Sequence, residues 1–246
     1  MRLTSQVHLV GGGRNGLGLT DVNDCNVYLI DGGSEYALVD AGAGYDLDGL
    51  LAEIAQTGAD LDRVGHILLT HKHADHSGGT AELQRLTGAR VYGTSTTAAA
   101  VGDADRFNTG LARARNAGTY PVDYVFQAVT VDEVVSGGDG ISVGNLDVRV
   151  IDTPGHCAGH CSFVVSCEHG TCLFSGDALF PQGEIMLLPI ADSSIQESLA
   201  SVELLASLDI DALFAGHGAP ILLGGDRHVQ LALDRIREGK LPVQLM

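Results

Sequence analysis

Two hydrophobic periods alternate along the chain. Residues 26–30 and 36–40 are short apolar runs on either side of Asp31-Gly32-Gly33-Ser34, which predicts a β-hairpin. Leu47, Leu50, Leu51, Ile54 and Ala55 fall at the i, i+3, i+4, i+7, i+8 spacing of one helix face. Residues 64–69 read as a buried strand, 79–86 as a short helix and 89–92 as the next strand. Residues 95–120 read as mostly helical, rich in Ala and Thr but weakly patterned. Further strands are predicted at 147–151, 162–166 and 171–174. Ser193 and Ser194 are each fit to cap a helix, and Glu197 completes a capping box with Ser194. Ile195, Leu199, Val202 and Ala206 then line one face of that helix. Residues 212–214 predict a last strand and 226–237 a last helix. No linker, low-complexity block or fixed-period repeat interrupts the pattern. Strands and helices interleaved with hairpins predict a layered α/β fold, a single domain over residues 1–246.

Composition removes several function classes. The 246 residues are 45% hydrophobic and 18% charged, which excludes disorder. The 33 glycines follow no three-residue period, so they mark tight turns rather than collagen. Formal net charge is −17, and residues 21–62 hold ten acids without one Lys or Arg. Nucleic-acid affinity comes mainly from Lys and Arg on phosphates, so no nucleic-acid partner is expected. An anionic membrane surface is excluded in the same way. No run approaches the ~18 apolar residues of a membrane span, and the first ten residues lack the apolar core of a secretory signal. Five cysteines, an odd number in a long chain, do not form a disulfide framework. A reducing, cytoplasmic setting is the expectation.

Chemistry is concentrated where strands end. The strand ending at Leu69-Thr70 runs straight into His71-Lys72-His73-Ala74-Asp75-His76. A strand end fixes the backbone while the following loop lets side chains converge. Histidine is the commonest metal ligand, and three imidazoles with a carboxylate suit zinc or another first-row divalent ion. With 10 His in the chain, chance would place this pattern in roughly one sequence in a thousand. Three more strand ends carry one such residue each on a glycine-containing turn: Asp152-Thr153-Pro154-Gly155-His156, Ser175-Gly176-Asp177 and Ala215-Gly216-His217-Gly218. Together these make five His and two Asp, enough for two metal ions.

In the identity, order and spacing of these motifs the chain resembles the metallo-β-lactamase-fold hydrolase superfamily, from about Asn26 to Gly218. The resemblance implies an αβ/βα four-layer sandwich with a metal site at one edge of two packed sheets. It implies that His71, His73 and His156 bind one metal, that Asp75, His76 and His217 bind a second, and that Asp177 bridges both. Asp75 would also orient or deprotonate a bridging hydroxide. The implied cofactor is two Zn2+ per chain, with Fe or Mn as other first-row ions of that site. The implied reaction is hydrolysis of a small carbonyl substrate: an ester, a lactone or a thioester. A mononuclear iron dioxygenase acting on a thiol or persulfide, and a non-catalytic metal-binding protein, are the alternatives.

The same motifs narrow the family. Asp177 is a ligand that class B1 and B3 β-lactamases lack, which argues against β-lactam hydrolysis. Glyoxalase II carries a C-terminal helical domain that holds glutathione, and only 29 residues follow His217 here. Acyl-homoserine lactonases place a Tyr three residues after the bridging Asp, where this chain has Phe180. His160, four residues after His156, is expected beside the site rather than in it. Cys157 and Cys161 are expected to pack as small hydrophobes. Residues 95–126, with Tyr120 and Tyr124, form either a flap that walls the substrate pocket or a packed surface helix pair. Phe180, Tyr120 and Tyr124 are the pocket candidates.

Overall fold

Continuous apolar runs become buried strands. The computed structural model describes residues 1–245, and the chain divides into two units. In the first, residues 1–135 with 143–145, six strands lie side by side in sequence order. They are β1 (Val7–Gly11), β2 (Val27–Asp31), β3 (Tyr36–Val39), β4 (Val64–Leu68), β5 (Arg90–Gly93) and β6 (Glu133–Val134). The predicted hairpin is present, β2 pairing antiparallel with β3 and Asp31 opposite Tyr36. The steps from β3 to β4 and from β4 to β5 are parallel. Parallel neighbours need a crossover. It is supplied first by α1 (Leu47–Gln56), then by α2 (Ala74–Ser77) and α3 (Thr80–Thr87). Asp46 caps α1 by accepting from Gly49 N–H at 2.9 Å, and the apolar stripe turns Leu50 and Ile54 inward. Those two side chains meet Val27, Leu29, Leu38, Ile67, Leu69 and Val91 in one core. Each buried aliphatic side chain there contributes about 1.5–3 kcal/mol.

The 95–120 segment is less helical than its Ala and Thr content predicts. It holds α4 (Ser95–Gly102) and α5 (Leu111–Asn116), with turns between and after them. Asp105 ends the helical run, because its carboxylate accepts from the Phe107 and Asn108 N–H groups at 2.8 and 3.2 Å. Gly110 then starts α5 at φ +73°, in the left-handed region.

The second unit comprises residues 136–142 and 146 onward. Its sheet has the order β11-β10-β9-β8-β7, from β7 (Gly140–Val143), β8 (Leu146–Asp152), β9 (Cys161–Cys167), β10 (Gly170–Gly176) and β11 (Ala212–Ala215). β8, β9 and β10 form an antiparallel meander, while β10 and β11 are parallel. α6 (Ile195–Leu205) makes that crossover and α7 (Gly225–Arg237) follows β11. Val202, Leu205, Val229 and Ala232 of the helices pack with Val164, Leu173 and Leu213 of the sheet. The short or Gly-rich strands β1, β6 and β7 escape the period-two reading.

α6 differs from its prediction in two ways. Ser194 caps it, accepting from Glu197 N–H at 3.3 Å, but the reciprocal half of the capping box is replaced. The Ser194 N–H instead donates to Gly155 O at 2.8 Å. The buried face is Ser198, Ser201, Val202 and Leu205, whereas Ile195 is 42% exposed. Close approach to the 154–155 turn selects small residues. Ser201 Oγ donates to Pro154 O at 2.7 Å, and a Cβ on Gly155 would stand 2.2 Å from Ser198 Oγ. Among the described residues no helix is long and apolar enough to cross a membrane.

Candidate metal centre

In the first unit, four of the predicted ligands follow β4. His71 and His73 are buried in the loop, and Asp75 and His76 lie in α2. His71 Nε2 is 3.0 Å from His73 Nδ1, and His76 Nε2 is 3.7 Å from Asp75 Oδ2. The ring orientations are set from behind. His76 Nδ1–H donates to Asp40 Oδ2 at 2.8 Å. The Thr70 hydroxyl donates to the same oxygen at 2.8 Å, so at 3.0 Å it accepts from His71 Nδ1–H. Both rings therefore present Nε2 as the lone-pair nitrogen, the arrangement that outer carboxylates and hydroxyls impose on metal-binding imidazoles. Asp40 also accepts from Thr70 N–H at 2.8 Å. It does so from φ +61°, a conformation costly for a residue other than glycine. Sequence reasoning missed Asp40 and Thr70. Their signal is faint, one Asp at a strand end and one Thr before the first His, 30 residues apart.

In the second unit the remaining three come together on the ends of β8, β10 and β11. His156 Nε2 lies 3.5 Å and His217 Nε2 3.7 Å from the same Asp177 Oδ2. His156 Nδ1–H donates to Met186 O at 3.0 Å, which again leaves Nε2 to face the carboxylate. Separations of 3.5 and 3.7 Å are long for hydrogen bonds. They lie within and just beyond the separation of donors that share a tetrahedral ion, about 3.3–3.6 Å when each is about 2.0–2.2 Å from it. An imidazole Nε2 beside a buried carboxylate oxygen is the donor chemistry of a first-row divalent cation, and Asp177 Oδ2, with one such nitrogen on each of two rings, fits an oxygen that such ions share.

The pocket candidates are placed as follows. Phe180 is fully buried and stacks on His217, with centroids 6.3 Å apart and rings at 25°. Tyr124 and Tyr120 belong to the core of the first unit, clustered with Tyr45. The Tyr124 hydroxyl donates to Ala43 O at 2.6 Å. The Tyr120 hydroxyl is buried without a hydrogen-bond partner, and burial pushes its pKa up. Of the 95–126 segment, the Thr109-Gly110 turn packs on the His73 ring and Thr109 O accepts from Ala74 N–H. Phe107, Val122 and Val125 are exposed. Lys72, between two predicted ligands, is buried. Asp105 is held below the usual carboxylate range, first by the N–H groups of Phe107 and Asn108 and less by the Lys72 charge.

Asp24 is a second buried carboxylate in the first unit, next to Cys25, whose N–H donates to Asp75 O. Burial pushes it up to about 6 despite hydrogen bonds from Thr20 and Ala43. The folded-state value lies above the unfolded value, so its ionised form weakens the fold at neutral pH. That cost, at most about 3 kcal/mol, begins to fall once the pH drops below about 6 and is gone below the unfolded value of 3.8. Asp24→Asn should therefore melt above the wild type at pH ~8, with the difference closing toward pH ~4. A difference independent of pH would contradict this origin.

A family model described as the metallo-beta-lactamase superfamily matches residues 20–217. The hydroxyacylglutathione hydrolase of Rhodospirillum rubrum is 30% identical over 154 residues, which are 63% of this chain and 48% of that protein. The hydroxyacylglutathione hydrolase of Methylococcus capsulatus is 32% identical over 156 residues, with the same coverage of 63% and 48%. The chain thus spans about half the length of these relatives. Among solved structures, BJP-1, a subclass B3 metallo-β-lactamase of Bradyrhizobium japonicum, matches with a TM-score of 0.73 at 22% identity, over 97% of this chain and 91% of that one. GOB-18 from Elizabethkingia meningoseptica matches with 0.73 at 19% identity, over 97% and 89%.

Proposed function

Because the chain belongs to the metallo-β-lactamase superfamily and has that fold, as its motifs predict, we propose that it is a zinc-dependent hydrolase of a small ester, lactone or thioester. The ligands would be His71, His73, Asp75, His76, His156, Asp177 and His217. The observation that carries this reading is the placement of two imidazole Nε2 atoms 3.5 and 3.7 Å from one carboxylate oxygen of Asp177. When bound, two zinc ions would supply hydroxide at neutral pH and polarise the carbonyl. The protein's own part is orientation. Asp40, Thr70 and the Met186 carbonyl hold the Nδ1–H sides of three rings. Asp75, less buried than the histidines around it, would take the proton of the attacking water on a carboxylate oxygen.

The relatives named hydroxyacylglutathione hydrolase, a name that denotes hydrolysis of an acylated glutathione, favour a thioester. The ten acids of residues 21–62 oppose an anionic one. The test is metal analysis of the purified protein with turnover of a panel of thioesters, aryl esters and lactones. Two zinc per chain, with an uncharged thioester preferred over a glutathione thioester of matched reactivity, is the expected result. One iron per chain, or zinc without turnover of any member, overturns the reading. Preference for the glutathione thioester overturns the charge argument.

Homoserine lactones are expected to be poor substrates, since Phe180 has no hydroxyl to donate to a developing oxyanion. A missing donor costs about 10²–10³ in rate where it is used. Phe180→Tyr would bury the new hydroxyl beside the His217 ring. Without a partner there it costs about 1–3 kcal/mol. A melt several degrees below the wild type is expected, and an unchanged melt with faster lactone turnover would show that the hydroxyl finds substrate.

A further inference from the structure

We propose that His160 is a positioning residue that fixes the peptide of Asp177 through a one-directional chain of buried hydrogen bonds. The proposal rests on Asp177 serving as a metal ligand. Asp177 N–H donates to His160 Nε2 at 3.0 Å. That nitrogen must then be unprotonated, so the ring carries its proton on Nδ1. Nδ1 lies 2.9 Å from Thr153 Oγ1 and donates to it. The Thr153 hydroxyl, having accepted, donates to Ser162 Oγ at 2.8 Å. Ser162 in turn donates to Ser175 O at 3.3 Å, and the chain closes on a carbonyl. Every member is at least 97% buried, so each proton's direction is dictated by its neighbour rather than by water. The chain also binds together the ends of three strands: Thr153 follows β8, His160 precedes β9, and Asp177 follows β10.

The consequence for Asp177 is mechanical. Its carboxylate projects from a peptide plane whose N–H donates to the His160 ring. Removal of that acceptor leaves a buried donor unpaired and releases the plane to rotate. The rotation would move Oδ2 away from His156 and His217. Outer residues of this kind typically change metal affinity by about 10–100-fold.

Two substitutions separate this role from simple packing. Gln places its amide where Nε2 stands, so His160→Gln keeps an acceptor for Asp177 N–H and gives up the Thr153 contact. Asn places its amide near Nδ1, so His160→Asn keeps the Thr153 contact and leaves Asp177 N–H unpaired. Zinc affinity is read by competition with a chromophoric chelator, with a thermal melt alongside. His160→Asn should weaken zinc binding by about 10–100-fold, and His160→Gln should stay near the wild type. Equal losses in both, tracking the loss in melting temperature, would mean that the ring only fills space and would overturn the proposal. Nitrogen-15 NMR of the wild-type ring needs no variant to fold. A proton on Nδ1 alone supports the chain, and one on Nε2 overturns it. Zinc-loaded protein without turnover would overturn the hydrolase reading and leave this assignment standing.

Discussion

Asp177→Asn is expected to lower both zinc content and turnover, the latter by about 10³-fold or more, while the melting temperature of metal-free protein should stay close to that of the wild type. The side chain keeps its shape, and its backbone bond to His160 is untouched. Only the charge is lost. Two Nε2 atoms at 3.5 and 3.7 Å then face an amide instead of an anion. Several kcal/mol of charge stabilisation at a metal corresponds to three or more decades in rate at about 1.4 kcal/mol per decade. Elemental analysis by mass spectrometry and a thioester assay read the two effects. Full zinc content with full turnover would remove Asp177 from the ligand set.

Gly155→Ala is the second large effect, and it acts through shape. Gly155 has φ +133°, and an added Cβ would stand 2.2 Å from Ser198 Oγ and 2.3 Å from Ser198 N. Backbone at that distance does not yield, so the turn or α6 must shift. Strain plus overpacking costs about 3 kcal/mol or more. In a chain of this size that lowers the melting temperature by about 6–12 °C. Because His156 is the next residue, zinc affinity should fall with it. A melt within about 2 °C of the wild type would show that the turn relaxes freely.

Much of this architecture is legible in the sequence, for an identifiable reason. The turns that carry the proposed ligands stand out because each follows a strand, a plain apolar run where Cys172-Leu173-Phe174 precedes Ser175-Gly176-Asp177 and an alternating one in β8. The hairpin at Asp31-Gly32-Gly33-Ser34 carries its own turn chemistry. What stays hidden depends on partners distant in sequence. Asp40 reads only as the end of an apolar run until Thr70 and His76 are brought to it. His160 reads as a bystander until the strand ends place Thr153 and the Asp177 N–H on opposite sides of its ring. The inward face of α6 is partly misread because hydrophobicity points to Ile195, whereas the 154–155 turn is approached by Ser198 and Ser201. The 95–120 segment reads as more helical than it is because composition does not show that Asp105 binds the backbone just after it.

The contact between α6 and the 154–155 turn also bears on how the protein opens. Gly155 O accepts from Ser194 N–H at 2.8 Å and from Ser193 Oγ at 3.0 Å, and Pro154 O accepts from Ser201 Oγ at 2.7 Å. Local unfolding of α6 would break these bonds and release the segment that carries His156, so the two events are expected to form one cooperative step. A ligand that binds only the closed form suppresses such a step by RT ln(1 + [L]/Kd). Amides of α6 should then gain hydrogen-exchange protection when zinc is added, in the window where sub-global opening rather than global unfolding controls exchange. The helix thereby becomes a reporter of occupancy, although none of its residues is a ligand.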